Sequence, residues 1–291
     1  MSLLSIGIHD ETNIGERHHR LGLSRRDNFI WAIVILFCNQ LFAMVKEAPP
    51  ASFEKLTSAL FAVSVFQYMA WYVILRLLSS SDLAQAARWR DVLVAAGFCL
   101  LVFLPTSRMI WVSAVGIAIY LWIYNDGDPK LRAAGIVLAA LSVQEFWGHI
   151  FFKLVAFPLL RAETAVVGTM LQAARPGTAW QDNIITGPNG YGIIVYTGCS
   201  AFHNLSLALL CWVTLSKLRH QNWRVQDFLI GGVVVGTMIV FNLARLCLMA
   251  WDIDLLYYWH DGVGAEIFAI SSSVTILLIS LYGSRPTRRP A

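Results

Sequence analysis

Apolar residues along this chain come in long runs, separated by short polar stretches. Eight runs approach the length that crosses a bilayer, at about 28–45, 57–78, 91–105, 109–125, 132–157, 192–216, 226–251 and 262–283. Roughly 17–25 residues of helix span the hydrocarbon. The third run is the shortest and stops at Leu-Pro-Thr-Ser-Arg, residues 104–108. Backbone groups in lipid have no water to bond, so each run predicts a helix. The pattern therefore predicts an all-α polytopic membrane protein with about eight transmembrane helices.

Composition agrees with the pattern. Of 291 residues, 57% are hydrophobic and 14% are charged, which excludes an ordinary soluble domain. Lysine and arginine then set the orientation, because they collect on the cytoplasmic side. With the N-terminus inside, the inner side holds fifteen of them and the outer side six, with Arg245 left over. Both termini are expected in the cytoplasm of a cell bounded by this plasma (inner) membrane. Residues 1–27 read as a basic cytoplasmic tail carrying "ERHHRLGLSRRD", with no cleavable leader. The His-His-Arg cluster there reads as a surface tail rather than a metal site. Residues 28–160 read as helices one to five, 161–190 as an outer loop, 191–283 as helices six to eight, and 284–291 as a second cytoplasmic tail.

The outer loop divides in two. "RAETAVVGTMLQAARPG" predicts an interfacial helix, and "DNIITGPNGYGIIVY" predicts two short strands around a Gly-Pro-Asn-Gly turn, feeding the sixth helix. No internal repeat is visible, and nothing points to a nucleic-acid partner; the bilayer is the expected surroundings. The five cysteines are odd in number, lack a Cys-x-x-Cys spacing and sit in apolar runs. That argues against a disulfide framework or a zinc site.

Arg245 interrupts "FNLARLCLMAW" well inside the seventh run. An ionised side chain in a membrane span is a functional candidate by default. With the topology above, Cys199 and Arg245 both fall roughly 9 Å into their helices from the outer surface. His260 falls in the outer turn before the last helix. A cysteine thiolate is a nucleophile that a nearby cation stabilises. Histidine moves protons near neutral pH, and a guanidinium can hold an oxyanion or a carbonyl. The three together read as acyl transfer through a thioester. Asn242, three residues before Arg245 on the same helix face, is expected to orient it. An anion site in a transporter or channel, or a non-catalytic scaffold for envelope assembly, would also account for Arg245.

"YTGCSAFHNLSLALL" at 196–210, "FNLARLCLMAW" at 241–251 and "HDGVGAEIF" at 260–268 resemble, in order and spacing, the three signature regions of the exosortase/archaeosortase family. The matching residues are Cys199-Ser200, Asn242 to Arg245, and His260 with Gly264. The resemblance covers roughly residues 150–283. It implies a membrane cysteine protease/transpeptidase with Cys199 as nucleophile, Arg245 as catalytic or substrate-orienting group and His260 in proton transfer. It also implies the substrates: exported proteins with a C-terminal sorting signal made of a short, Pro-rich or similar motif, a membrane helix and a basic tail. Cleavage would fall near the outer surface, facing the periplasm or cell exterior, with no cofactor and no metal. Many members of that family read Cys-Ser-Gly-x-Arg, whereas this chain has Ala201 and His203 at the last two defined positions. His203 lies one turn after Cys199 and is a supporting candidate or an alternative base. Asp261 and Glu266 are candidates to orient His260. Glu145 and His149, also one turn apart, read as a polar pair lining the bundle interior.

Overall fold

The computed structural model describes residues 24–47, 64–81, 86–104 and 108–285, without the side chains of residues 44–47 and His203. The N-terminal tail to residue 23, the start of the expected second span and the end of the C-terminal tail lie outside the described residues. The described chain is predominantly helical. Helices α1 (Arg25–Glu47), α2 (Val65–Ser79), α3 (Trp89–Val102), α4 (Arg108–Ile123) and α5 (Pro129–Ser142) form the first part of the bundle. A π-helical turn, Val143–Trp147, leads directly into α6 (Gly148–Ala174). Strands β1 (Ala179–Gln181), β2 (Ile184–Thr186) and β3 (Gly192–Ile194) follow, then a 3-10 turn, Thr197–Cys199. The chain closes with α7 (Ala201–Arg219), α8 (Val225–Trp251), α9 (Ile253–His260) and α10 (Val263–Gly283).

Helices α8 and α10 are long and apolar enough to cross a membrane, and α2 and α4 are shorter apolar helices. The inward stripe of α8 reads Asp227, Gly231, Val234, Met238, Asn242, Leu246 and Met249, spaced by three or four residues. That of α10 reads Gly264, Phe268, Ser272, Ile276 and Ser280. Small and polar residues thus face inward, while Val225, Leu229, Val240 and Ile270 stand exposed. The inward face is mixed, with Val234, Met238, Leu246, Met249, Phe268 and Ile276 beside the small and polar residues, and small residues allow close helix approach in lipid. At Gly231, for example, a methyl group would lie 2.7 Å from the ring of Trp212, so glycine there lets α8 seat against α7.

One end of the bundle is tied by polar contacts. Arg25 of α1 reaches Asp91 of α3 at 3.0 Å, both side chains being almost completely buried, and Asp126 at 2.5 Å. Tyr120 donates to Asp91 at 2.8 Å. Arg219 donates to the carbonyl of Leu281 at 2.9 Å, and the His220 ring lies 3.1 Å from the carbonyl of Ser284. A buried pair is strongly destabilised when one partner is lost, so this cluster fixes α1, α3 and α4 against one another.

Three elements depart from the expected layout. The fifth run does not end near residue 157; after the π turn the helix continues to Ala174. The expected interfacial helix is therefore the second half of α6. The sixth run begins as strand β3 rather than as helix, so α7 starts only at Ala201. The turn before the last helix carries a short helix of its own, α9.

The strands form a three-stranded antiparallel sheet in the order β1-β2-β3. The predicted hairpin is β2–β3. Its Gly-Pro-Asn-Gly turn closes by a bond from Gly187 N–H to the Tyr191 carbonyl at 2.7 Å, with Gly190 at φ 80°, a value that favours glycine. A small apolar core fastens the sheet. Ile185, Ile193 and Val195 pack with Leu160, Val167 and Leu171 of α6 and with Leu246, Met249 and Ala250 of α8. Gly168 supplies the room for Trp180 of β1, whose ring would lie 2.6 Å from an added methyl.

Candidate active site

The end of the bundle opposite the Arg25–Asp91 cluster gathers the residues singled out in the sequence. Helix α8 carries two of them on one face, and each grips the main chain of a neighbouring element. Asn242, buried, donates from Nδ2 to the carbonyl of Cys199 at 3.1 Å. Arg245, half-buried, donates from Nε to the carbonyl of Trp259 at 2.9 Å and lies 4.9 Å over the ring of Phe268. That carbonyl belongs to the last turn of α9, where carbonyls lack helical partners and a cation is favourable. Asn242, expected to orient Arg245, instead holds the turn bearing Cys199. Its Oδ1 is buried without a hydrogen-bond partner among the described residues.

Cys199 sits at the end of the 3-10 turn, half-buried, one residue before the Ser200 cap of α7. It is not inside a helix as the hydropathy suggested. The main chain bends here because Cys199 N–H closes on the Tyr196 carbonyl at 2.9 Å and Ser200 turns extended, at φ −70° and ψ 149°. The thiol therefore stands next to a helix N-terminus, whose N–H groups favour negative charge.

His260 is the last residue of α9 and is exposed, with Nδ1 2.8 Å from Oδ1 of Asp261. With the Nδ1 proton directed at the carboxylate, Nε2 is left free to accept a proton. Asp261 thus takes the orienting place, and Glu266, exposed on α10, makes no hydrogen bond to the ring among the described residues. Cys199, His260 and Asp261 line one cavity of about 330 Å³, together with residues 192–196, Leu246, Met249, Leu256 and Tyr257.

His203 lies on α7 one turn beyond Cys199, and its side chain is outside the described residues. Glu145 belongs to the π turn, where Gln67 bonds both Glu145 and, at 3.0 Å, Gln144. His149 lines a second cavity with Gln144, Lys153, Thr197 and Gly198.

Sequence reasoning missed one residue beside the Cys199 turn. Glu163 of α6 is 8% exposed and accepts at Oε1 from Ser200 Oγ and from Ala201 N–H, each at 3.1 Å. It is an external cap for α7, supplied by another helix. Burial pushes its pKa up, partly offset by the two donated bonds. Its other oxygen, Oε2, is buried without a hydrogen-bond partner among the described residues. The available signal was a carboxylate in the otherwise apolar stretch "AETAVVGTML".

Compared with models of protein families, with curated proteins and with solved structures, the chain matches none.

Proposed function

We propose that this chain is a polytopic membrane cysteine peptidase or transpeptidase of the exosortase/archaeosortase kind. It would cleave a C-terminal sorting signal from exported proteins at the outer surface of the plasma membrane. The observation that carries the reading is the one cavity lined by Cys199, His260 and Asp261 together. Apolar side chains exposed along α3, α6, α8 and α10 support a lipid environment, because a soluble monomer rarely exposes so much contiguous apolar surface. At the opposite end Arg25 bonds Asp91 and Asp126, and Arg219 and His220 bond the carbonyls of Leu281 and Ser284; the inside placement of both termini and the eight crossings rest on the lysine and arginine distribution and the apolar runs.

The chemistry balances as follows. His260 Nε2 takes the thiol proton of Cys199, and the thiolate sulfur attacks the scissile carbonyl carbon. The carbonyl electron pair moves to oxygen, where the Nη groups of Arg245 stabilise it; its Nε bonds the Trp259 carbonyl and its guanidinium lies over Phe268. The oxyanion then collapses, the C–N bond breaks, and His260 returns the proton to the leaving amine. A thioester remains on Cys199. An acceptor amine, hydroxyl or water gives its proton to Nε2 as it attacks, and the thiolate leaves. No step needs a cofactor or metal.

The test compares a deletion strain of the native host carrying wild type, Cys199→Ala or Arg245→Ala at matched membrane levels, with the C-terminal peptides of exported proteins mapped. A set of proteins that keeps its hydrophobic tail in both variants is the expected result. Identical C-termini in wild type and Cys199→Ala would remove the enzyme reading. A phenotype confined to Arg245→Ala would then favour an anion site in a transporter.

A further inference from the structure

The sheet ends at β3, and β3 borders the cavity that holds Cys199. Five consecutive residues, Gly192 to Tyr196, line that cavity. A cavity lying against one face of a strand would meet alternate residues only. Contact with all five means that it runs along the strand's edge.

Pairing decides which backbone groups point there. Tyr191 accepts from Gly187, Ile193 pairs with Ile185, and Val195 donates to the Asn183 carbonyl at 2.8 Å. Asn183 Nδ2 returns a bond to the Val195 carbonyl at 3.1 Å. In an antiparallel ladder alternate residues turn both N–H and C=O to the same neighbour. Residues 191, 193 and 195 therefore face β2, and Gly192 and Ile194 face away. Among the described residues, nothing bonds the outward N–H and C=O of either. An edge of this kind is a template for another strand.

We propose that β3 is the substrate-binding strand. An extended peptide segment adds to its free edge, pairing with the outward N–H and C=O of Gly192 and Ile194, and runs on past Tyr196 to bring its scissile carbonyl over Cys199. This rests on the peptidase reading given above. Main-chain pairing supplies affinity independent of sequence, and alternate side chains supply selectivity. Side chains on the face shared with Ile193 and Val195 meet the floor of Leu246, Met249 and Leu256. Those on the other face stand beside Ile194 and Tyr196, which are exposed. The segment recognised is therefore apolar at every second position facing the floor and permissive between.

Proline at position 194 isolates the claim. It removes only the outward N–H, leaves the bonds to β2, and suits an edge strand preceded by an extended residue. Ile194→Val keeps the N–H. In the host strain described above, Ile194→Pro is expected to retain the uncleaved tails at matched membrane abundance, and Ile194→Val to process them as wild type does. If Ile194→Pro processes normally, the edge is not the binding strand, while the Cys199→Ala arm still judges the enzyme reading separately. Should Ile194→Pro fail to accumulate, purified wild type decides instead. Synthetic peptides spanning the mapped cleavage site, each N-methylated at one residue, are expected to lose cleavage at alternate positions. Loss at no position, or at consecutive positions without alternation, overturns the proposal.

Discussion

At the scale of single residues, Glu163 makes a claim that pH can test. A buried carboxyl with a raised pKa keeps its proton in the folded protein at pH values where the unfolded chain has released it. Stability therefore falls as pH rises from the ordinary value of 4.5 through the raised folded value. Glu163→Gln keeps an oxygen for Ser200 and Ala201 but has no proton to lose. In detergent, the wild-type melting temperature is expected to fall relative to Glu163→Gln as pH rises above the ordinary carboxyl value of 4.5. Parallel curves would assign no such ionisation to Glu163. Cys199, Arg245 and His260 were legible in the sequence because each residue type is rare or costly where it stands. Glu163 was not, because it caps a helix that begins 38 residues later, a pairing that no local pattern encodes. The bond of Asn242 was misjudged for a related reason: spacing on α8 names the neighbours on its own face, not the main chain packed against it.

At the scale of elements, the approach of α10 to α9 depends on Gly264. A methyl group there would lie 2.6 Å from the Tyr258 ring and 2.8 Å from its carbonyl oxygen. Gly264→Ala must push the start of α10 away from α9, whose last residue is His260. The expected cost is about 1–3 kcal/mol, read as a lower melting temperature. Gly236→Ala is the control, since nothing lies within 4 Å of its added carbon, and it is expected to be neutral or stabilising by about 0.5–1 kcal/mol. Equal melting temperatures for the two variants would contradict the packing argument. Hydropathy located α8 and α10 within a residue or so of their observed limits, because both are uniform apolar helices with polar residues at their ends. It misplaced the boundaries around α6 and α7. An apolar run does not distinguish buried strand from helix, and Gly-Ile-Ile-Val at 192–195 is a strand whose alternate residues are buried. The π turn is likewise invisible, being a change in hydrogen-bond register rather than in residue type.

At the scale of the whole molecule, the two polar ends of the bundle differ in kind. One is a set of ion pairs and main-chain contacts joining helix ends; the other is a sheet, a short helix and a cavity held by their own apolar core. In a membrane the helices gain little from leaving lipid and are held by packing. If the sheet lies outside the hydrocarbon, as the proposed topology requires, its core gains the full benefit of leaving water, about 1.5–3 kcal/mol for each buried Val, Leu or Ile. Orientation is testable directly. Asn189 in the hairpin turn and Asn222 between α7 and α8 are both exposed. In a background with the native cysteines replaced, Asn189→Cys is expected to react with an impermeant maleimide in intact cells. Asn222→Cys should react only after permeabilisation. The opposite pattern would put the Cys199 end in the cytoplasm and end the sorting proposal.

The two main-chain grips of α8 carry a consequence for how such a protein can change. The turn bearing Cys199 is held from position 242 and the helix ending in His260 from position 245. Their separation is thus gauged by less than one helical turn, about 5 Å along the axis, rather than by the loops that deliver them. Residues 220–224 and the hairpin tip can be lengthened, shortened or redecorated without altering that gauge. A single residue inserted between 242 and 245 would swing one grip about 100° around the axis from the other. Variation over generations should therefore accumulate in the loops and stop at these three residue steps.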